Sequence, residues 1–438
     1  MTRRAVTVDA GGQALDPLTC FRPGDVLVAG PSLALLGVGT AAELSLPGGP
    51  TPGAGPLVAR ALGAYDVTGD VTGPGTGPVA LGALPFEPGP ARLVVPRLVL
   101  GRDGDGRAWL TVVAEDGEPI DTAAELARLR ARRPTAPAFG RLPARPHATA
   151  PRGESGDRFT AMVAEALGAI ARTDLAKVVL SRSQVIEADP PVDLATTVHR
   201  WHALDPAATV FAVPDSGNGT VFAGASPELL VARRGSRVAT RPLAGTAPRG
   251  TDPRHQAEVL RHSAKDAVEH RIVVDAVRDV LSSWCDELQV PDRPSVIETN
   301  GVSHLATTVT GSLRPGDPPP TALELAALLH PTPAVGGAPR YTALELLARL
   351  EGAPRGRYAG PVGWVDARGD GDWVIGIRAA LLSEPDLPGH YRRAELTAGV
   401  GIVAGSDPQA ELAETELKLD SIRRALFPIE PAGLSHAG

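Results

Sequence analysis

Across the first 150 residues, short apolar runs alternate with turn-forming punctuation. Val and Leu concentrate at 25–38, 79–84, 91–100 and 108–113, which are runs of strand length, and 121–132 repeats apolar positions at helical spacing. The stretches 46–79 and 132–156 are crowded with Gly and Pro and read as surface loops or connectors. From residue 157 the period changes. Residues 159–171 predict an amphipathic helix, 177–180 a strand and 193–204 a second helix. Four short runs follow, at 209–213, 220–224, 228–233 and 237–243, with tight turns between them, and predict an antiparallel meander. Residues 255–284 carry the longest helical period, 322–329 a helix stopped by Pro331 and Pro333, and 341–350 a shorter one. Residues 373–382 and 391–397 read as a hairpin, 398–405 as a Gly-rich crossing loop, and Asp407-Pro408 as the cap and first residue of a last helix.

Composition narrows the possibilities. At 438 residues with 43% hydrophobic content the chain can bury a substantial core. A net charge of −7 with interspersed signs offers no basic face for a phosphate backbone, so no nucleic-acid partner is expected. No stretch has the length of a membrane span, and the opening Met-Thr-Arg-Arg-Ala-Val lacks the apolar run of a signal peptide, so a cytoplasmic protein without a membrane partner is expected. Cys20 and Cys285 have no neighbouring ligand pattern and read as ordinary thiols.

The candidate chemistry begins with a scarcity. Only three of the 43 basic residues are lysines: Lys177, Lys265 and Lys418. Arg stays protonated in proteins, whereas a desolvated Lys can serve as a base, so surviving lysines in an Arg-rich chain are candidates for positions where Arg cannot substitute, chance survival under the composition bias being the alternative. In a strand Lys177 shares a face with Val179 and Ser181, while Arg182 points away. Two helices each present carboxylates three residues apart: Asp266 with Glu269, and Glu411 with Glu414, the latter on one side with Lys418. Hard oxygen ligands without Cys suit Mg²⁺. The alternative is a pair of ordinary i,i+4 salt bridges, Lys265 with Glu269 and Glu414 with Lys418, on solvated faces. Gly399, Gly401 and Ala404 satisfy a degenerate dinucleotide fingerprint, but the βαβ context is missing, and close backbone approach to a carboxylate is the better use of these glycines. No nucleophile elbow is present, so a covalent hydrolase is not expected.

Taken in order, Lys-Val-Val-Leu-Ser-Arg at 177–182, Ala-Ser-Pro-Glu-Leu-Leu at 225–230, Pro-Leu-Ala-Gly-Thr at 242–246, Lys-Asp-Ala-Val-Glu-His at 265–270, His-Leu-Ala-Thr at 304–307, Leu-His-Pro-Thr-Pro-Ala at 329–334, Tyr-Ala-Gly-Pro-Val-Gly-Trp at 358–364 and the stretch 398–419 resemble the chorismate-utilising enzymes. Within them the chain looks most like an isochorismate synthase. Upstream, only Gly-Ala-Leu-Pro-Phe at 82–86 is similar to a segment of those enzymes. The resemblance implies an α+β fold in which two packed antiparallel β-sheets are surrounded by helices. Residues 1–150 would be a divergent, loop-rich N-terminal part of that fold and 157–428 the chorismate-binding catalytic region. Lys177 falls on the family's general base, which activates water for attack at C2 of chorismate. Glu228 falls on the general acid that protonates the departing C4 hydroxyl from the other face. A base must be neutral and an acid protonated near pH 7, which a water-poor pocket favours. The resemblance further implies Mg²⁺ on Glu269 and Glu414, with Asp266 and Glu411 acting directly or through water. Substrate would be bound by Arg378 and Lys418 with the backbone of Gly245, Thr246 and Gly399, beside Ser226, Ala334, Val335 and Tyr358. Anthranilate synthases carry Gln in place of Lys177, and aminodeoxychorismate synthases carry Lys in place of Ala244, so no glutamine amidotransferase subunit is expected and the chain is expected to be a monomer. Salicylate synthases share the Lys and Glu pair; Tyr358 matches the lyase-type members, whereas the His-Pro-Thr-Pro-Ala run is the isochorismate synthase form. The product would enter siderophore, menaquinone or other secondary metabolite biosynthesis.

Overall fold

A computed structural model describes residues 3–11, 15–115, 117–132, 152–153, 155–215, 217–248, 253–316 and 318–427. The Pro-rich stretch read as a connector lies, from 133 to 151, outside the described residues. Among the described residues the strands form three sheets of 13, 9 and 3 strands, antiparallel except where Arg3–Asp9 pairs in parallel with Tyr65–Gly69. The fold is therefore α+β, with two large sheets as expected and a small third sheet, Leu243–Pro248, Val302–Ala306 and Ser295–Glu298, that the hydrophobic pattern did not predict.

The two large sheets face one another across an apolar core. Leu35, Val99, Trp109 and Phe211 of the 13-stranded sheet meet Leu81, Val362, Trp364 and Val374 of the 9-stranded one. Each such side chain contributes about 2 kcal/mol of burial. Helices Leu194–Leu204 and Pro408–Leu426 cover the outer side of the larger sheet with Val198, Trp201, Leu419 and Ile422. Gly156–Arg172, Ala322–Leu329 and Arg340–Glu351 join a further core through Phe159, Leu323 and Leu347.

Several expectations change because strand partners are chosen over long distances. The predicted meander is two hairpins in different sheets: Thr209–Pro214 pairs with Val221–Ser226 in the larger sheet, and Leu229–Arg234 with Arg237–Arg241 in the smaller. Ser226-Pro227-Glu228 is thus the crossing between sheets. Likewise 373–382 straddles both sheets, and the hairpin is Ala379–Leu387 with His390–Val403. Residues 398–403, expected to be a loop, belong to that last strand. The Gly-rich 46–79 stretch holds a helix, Ala54–Gly63, which buries Val58 and Leu62 one turn apart, and the strand Tyr65–Gly69. The long helix is broken: Ser263 takes an extended backbone and its hydroxyl accepts from the Asp266 amide, so Ala264–Ser282 starts afresh after Pro253–His262.

Candidate active site

The longest ladder among the described residues builds the floor of a cavity. Lys177–Asp193 runs antiparallel to His390–Val403, with Lys177 opposite Val403, Val179 opposite Gly401 and Ser181 opposite Gly399. Directly opposed residues share a face, so the two glycines clear space beside Lys177. A Cβ on Gly401 would collide with the Glu269 carboxylate and come within 2.7 Å of Lys177 Cε; one on Gly399 would come within 3.0 Å of the Tyr358 hydroxyl. The cavity encloses about 670 Å³, open mouth included.

Ten of the residues expected at the site line this cavity: Glu228, Gly245, Thr246, Glu269, Ala334, Val335, Tyr358, Arg378, Gly399 and Lys418. Lys177 lies behind the wall, fully buried, with Nζ 2.9 Å from Glu269 Oε1 but outside hydrogen-bonding geometry. Ser226 does not line it. Its hydroxyl donates to the Ile375 carbonyl at 2.6 Å and accepts from the Glu228 amide, which fixes the crossing that carries Glu228.

Burial governs the titratable groups. Desolvation pushes the Glu228 carboxyl up to about 7 against the pull of Lys177, the cation acting on it most strongly. It also pushes the Tyr358 phenol up to about 12 and the Arg378 guanidinium down to about 10. Arg378 donates to Ser421 Oγ at 3.0 Å and to His304 Nε2 at 2.8 Å. His304, held far below its ordinary value by burial and by Arg378, is neutral, with Nδ1 3.2 Å from the Gly245 carbonyl. Its Nδ1 proton therefore faces Gly245, leaving Nε2 to accept from Arg378. Arg378 and Ala359 both take left-handed backbones, φ 53° and 60°, at the cavity wall, a strain of about 1 to 3 kcal/mol each that packing must hold.

Of the two i,i+4 salt bridges weighed above, one forms, and it is largely buried rather than solvated. Lys265 bypasses Glu269, four residues on, and reaches Glu411 on the last helix at 2.5 Å. Glu414 does meet Lys418, at 2.8 Å, and Lys418 also donates to the Gly399 carbonyl at 2.8 Å. All three lysines of the chain thus hold a carboxylate of this site. Asp266 is pushed up by burial and by Glu269, and Glu411 by burial and by Glu414. Burial would also raise Glu414, but Lys418 holds it below the usual range. Crowded hard-oxygen donors that repel one another fit a divalent cation such as Mg²⁺, which keeps several waters and needs only one or two carboxylates. Among the described residues no three His, Cys, Asp or Glu side chains are gathered into a metal-holding group; lysines engage three of the four acids.

These features coincide with a known family. The model of chorismate binding enzymes matches residues 28–427. The chain belongs to the chorismate-binding enzyme family. Within it the likeness is to isochorismate synthases. The chain is 42% identical to isochorismate synthase DhbC of Bacillus subtilis over 273 residues, 60% of this chain and 66% of that one. It is 36% identical to the vibriobactin-specific isochorismate synthase of Vibrio cholerae over 352 residues, 80% and 79% of the two chains. Its fold is that of MenF, the menaquinone-specific isochorismate synthase of Escherichia coli, with a TM-score of 0.75 over 97% of this chain and 94% of that one at 24% identity. No helix among the described residues is long and apolar enough to cross a membrane.

Sequence reasoning missed parts of this chorismate-binding enzyme's cavity. Arg355 has its guanidinium almost fully buried, donating to the Val179 and Val335 carbonyls at 2.6 Å and to Glu351, and it stacks over Phe86 and Tyr358. One arginine among 40 carries no sequence signal. His304 enters the sequence only as part of the 304–307 motif, which does not show that it partners Arg378.

Proposed function

We propose that this chain is a Mg²⁺-dependent isochorismate synthase, an isomerase acting on chorismate. Lys177, as the base, takes a proton from the water whose oxygen adds at C2. Glu228 gives its proton to the C4 hydroxyl, which leaves as water while the ring double bonds shift. One water enters and one leaves, with no redox change. Lys177 then holds a proton and Glu228 lacks one, and exchange with solvent restores both. Arg378 and Lys418, with the backbone of Gly245, Thr246 and Gly399, bind substrate carboxylates; Ala334, Val335 and Tyr358 flank the ring. Mg²⁺, held by Glu269 and Glu414 with Asp266 and Glu411 directly or through water, would neutralise and anchor a substrate carboxylate.

The observation that carries this reading is Glu228: a buried carboxyl on the cavity wall, held near pH 7, can donate a proton where an ordinary carboxylate cannot. Incubation with chorismate and Mg²⁺ is expected to yield isochorismate without pyruvate, and chelation with EDTA to stop it. Tyr358 at the cavity favours the one rival worth testing, a salicylate synthase. Salicylate and pyruvate as initial products would establish that rival instead.

Gly401→Ala is a separate check on the floor. The added methyl has no room between Glu269 and Lys177, so kcat/KM for chorismate should fall by about 100-fold, with circular dichroism unchanged. Activity within about threefold of wild type would show that the pair needs no such clearance.

A further inference from the structure

Of the three lysines, Lys265 has no place in the reaction above, yet it makes a short ion pair between two helices that each carry two of the carboxylates. Its Nζ lies 2.5 Å from Glu411 Oε1, crossing from Ala264–Ser282 to Pro408–Leu426. The partners differ in exposure: the Glu411 side chain is 1% exposed and that of Lys265 is 32% exposed. Glu411 is therefore a buried anion whose compensating charge comes from a cation at the edge of the site. Glu414 lies one turn from Glu411 on the same helix, and Asp266 is the next residue to Lys265, so the ammonium sits among acids that repel one another. Lys177 is fully buried and Lys418 is tied to the Gly399 carbonyl. Lys265, whose side chain is 32% exposed on a flexible four-carbon stem, can swing its ammonium out into water when another cation takes its place.

We propose that Lys265 is an internal counter-cation that competes with the divalent metal for Glu411, so that the helices stay paired without metal and metal affinity is set lower than the carboxylates alone would give. This rests on reading the four carboxylates as a metal site. Entry of the metal releases Lys265 to solvent, and departure of the metal restores the ion pair. Removing the charge should strengthen metal binding and weaken the metal-free fold.

Mn²⁺ is the probe, titrated into the full-length protein and read as loss of the free-ion signal by electron paramagnetic resonance, without substrate. Lys265→Gln should bind Mn²⁺ about tenfold more tightly than wild type, the scale expected for removing a unit charge at a half-buried site, while Lys265→Arg should stay near wild type. The metal-free Lys265→Gln protein should melt at a lower temperature than wild type and gain more on adding Mn²⁺. Lys265→Met gives the same readout should Lys265→Gln not fold. Unchanged or weaker Mn²⁺ binding by the charge-removing variants, with wild type binding normally, would overturn the competition and leave the metal reading intact. Absence of Mn²⁺ uptake by wild type would sink both.

Discussion

Lys177→Arg should reduce chorismate turnover by about 10²- to 10⁴-fold, the range general-base catalysis supplies, although it keeps the positive charge. An arginine stays protonated at any pH the protein survives, so it can pair with Glu269 but cannot accept a proton from water. It is also larger, in a place where Lys177 is fully buried and its Cε already packs against Gly401. Lys177→Ala should be inactive too, but it strands Glu269, buried beside the cavity, without its cation at 2.9 Å. Breaking a buried pair by removing one partner costs about 3 to 5 kcal/mol. The arginine variant is therefore the cleaner test, with steady-state isochorismate formation as the assay and thermal melting as the control for folding. More than about a tenth of wild-type turnover in Lys177→Arg would remove the base from the mechanism.

What made Lys177 legible was local: a rare residue type in an apolar run of strand length. Most helices, though not Ala54–Gly63, were legible for the same reason, since their period and caps lie within a few residues of one another; Asp407 caps the last helix by accepting from the Gln409 and Ala410 amides, as Asp-Pro there predicts. Strand partnership was not legible. Residues 209–241 have the spacing of a meander, yet Ser226-Pro227-Glu228 sends the chain to another sheet, because Leu229–Arg234 pairs with Gly371–Ile375, more than a hundred residues on. That crossing places Glu228 at the cavity. The acids show the same limit. Helical spacing joins Lys265 to Glu269, whereas tertiary packing joins Lys265 to Glu411 and Lys177 to Glu269. Gly399 and Gly401 were legible as points of close approach, although the group approached at Gly401 is a carboxylate of the protein itself.

Glu228→Gln should separate activity from stability in opposite directions. As the proposed proton donor, Glu228 must be protonated to act; its carboxyl sits near pH 7, so wild-type kcat should fall as pH rises through about 7. The glutamine variant cannot donate the proton and should lose about 10²- to 10⁴-fold in turnover at every pH. Stability follows the other sign. An acid raised by burial from 4.5 to about 7 binds its proton more tightly folded than unfolded. Its favourable contribution is complete below about pH 4.5 and is lost as pH climbs through 7, because ionisation places an unwelcome charge in the wall. A shift of that size corresponds to roughly 3 kcal/mol. Glu228→Gln, which cannot ionise, should therefore be more stable than wild type at pH 8 by an amount of that order, with the gap closing towards pH 5. Urea unfolding at the two pH values measures it. A variant equally stable with wild type at pH 8 would mean that Glu228 is not held protonated by its surroundings, and the cavity would then need another acid.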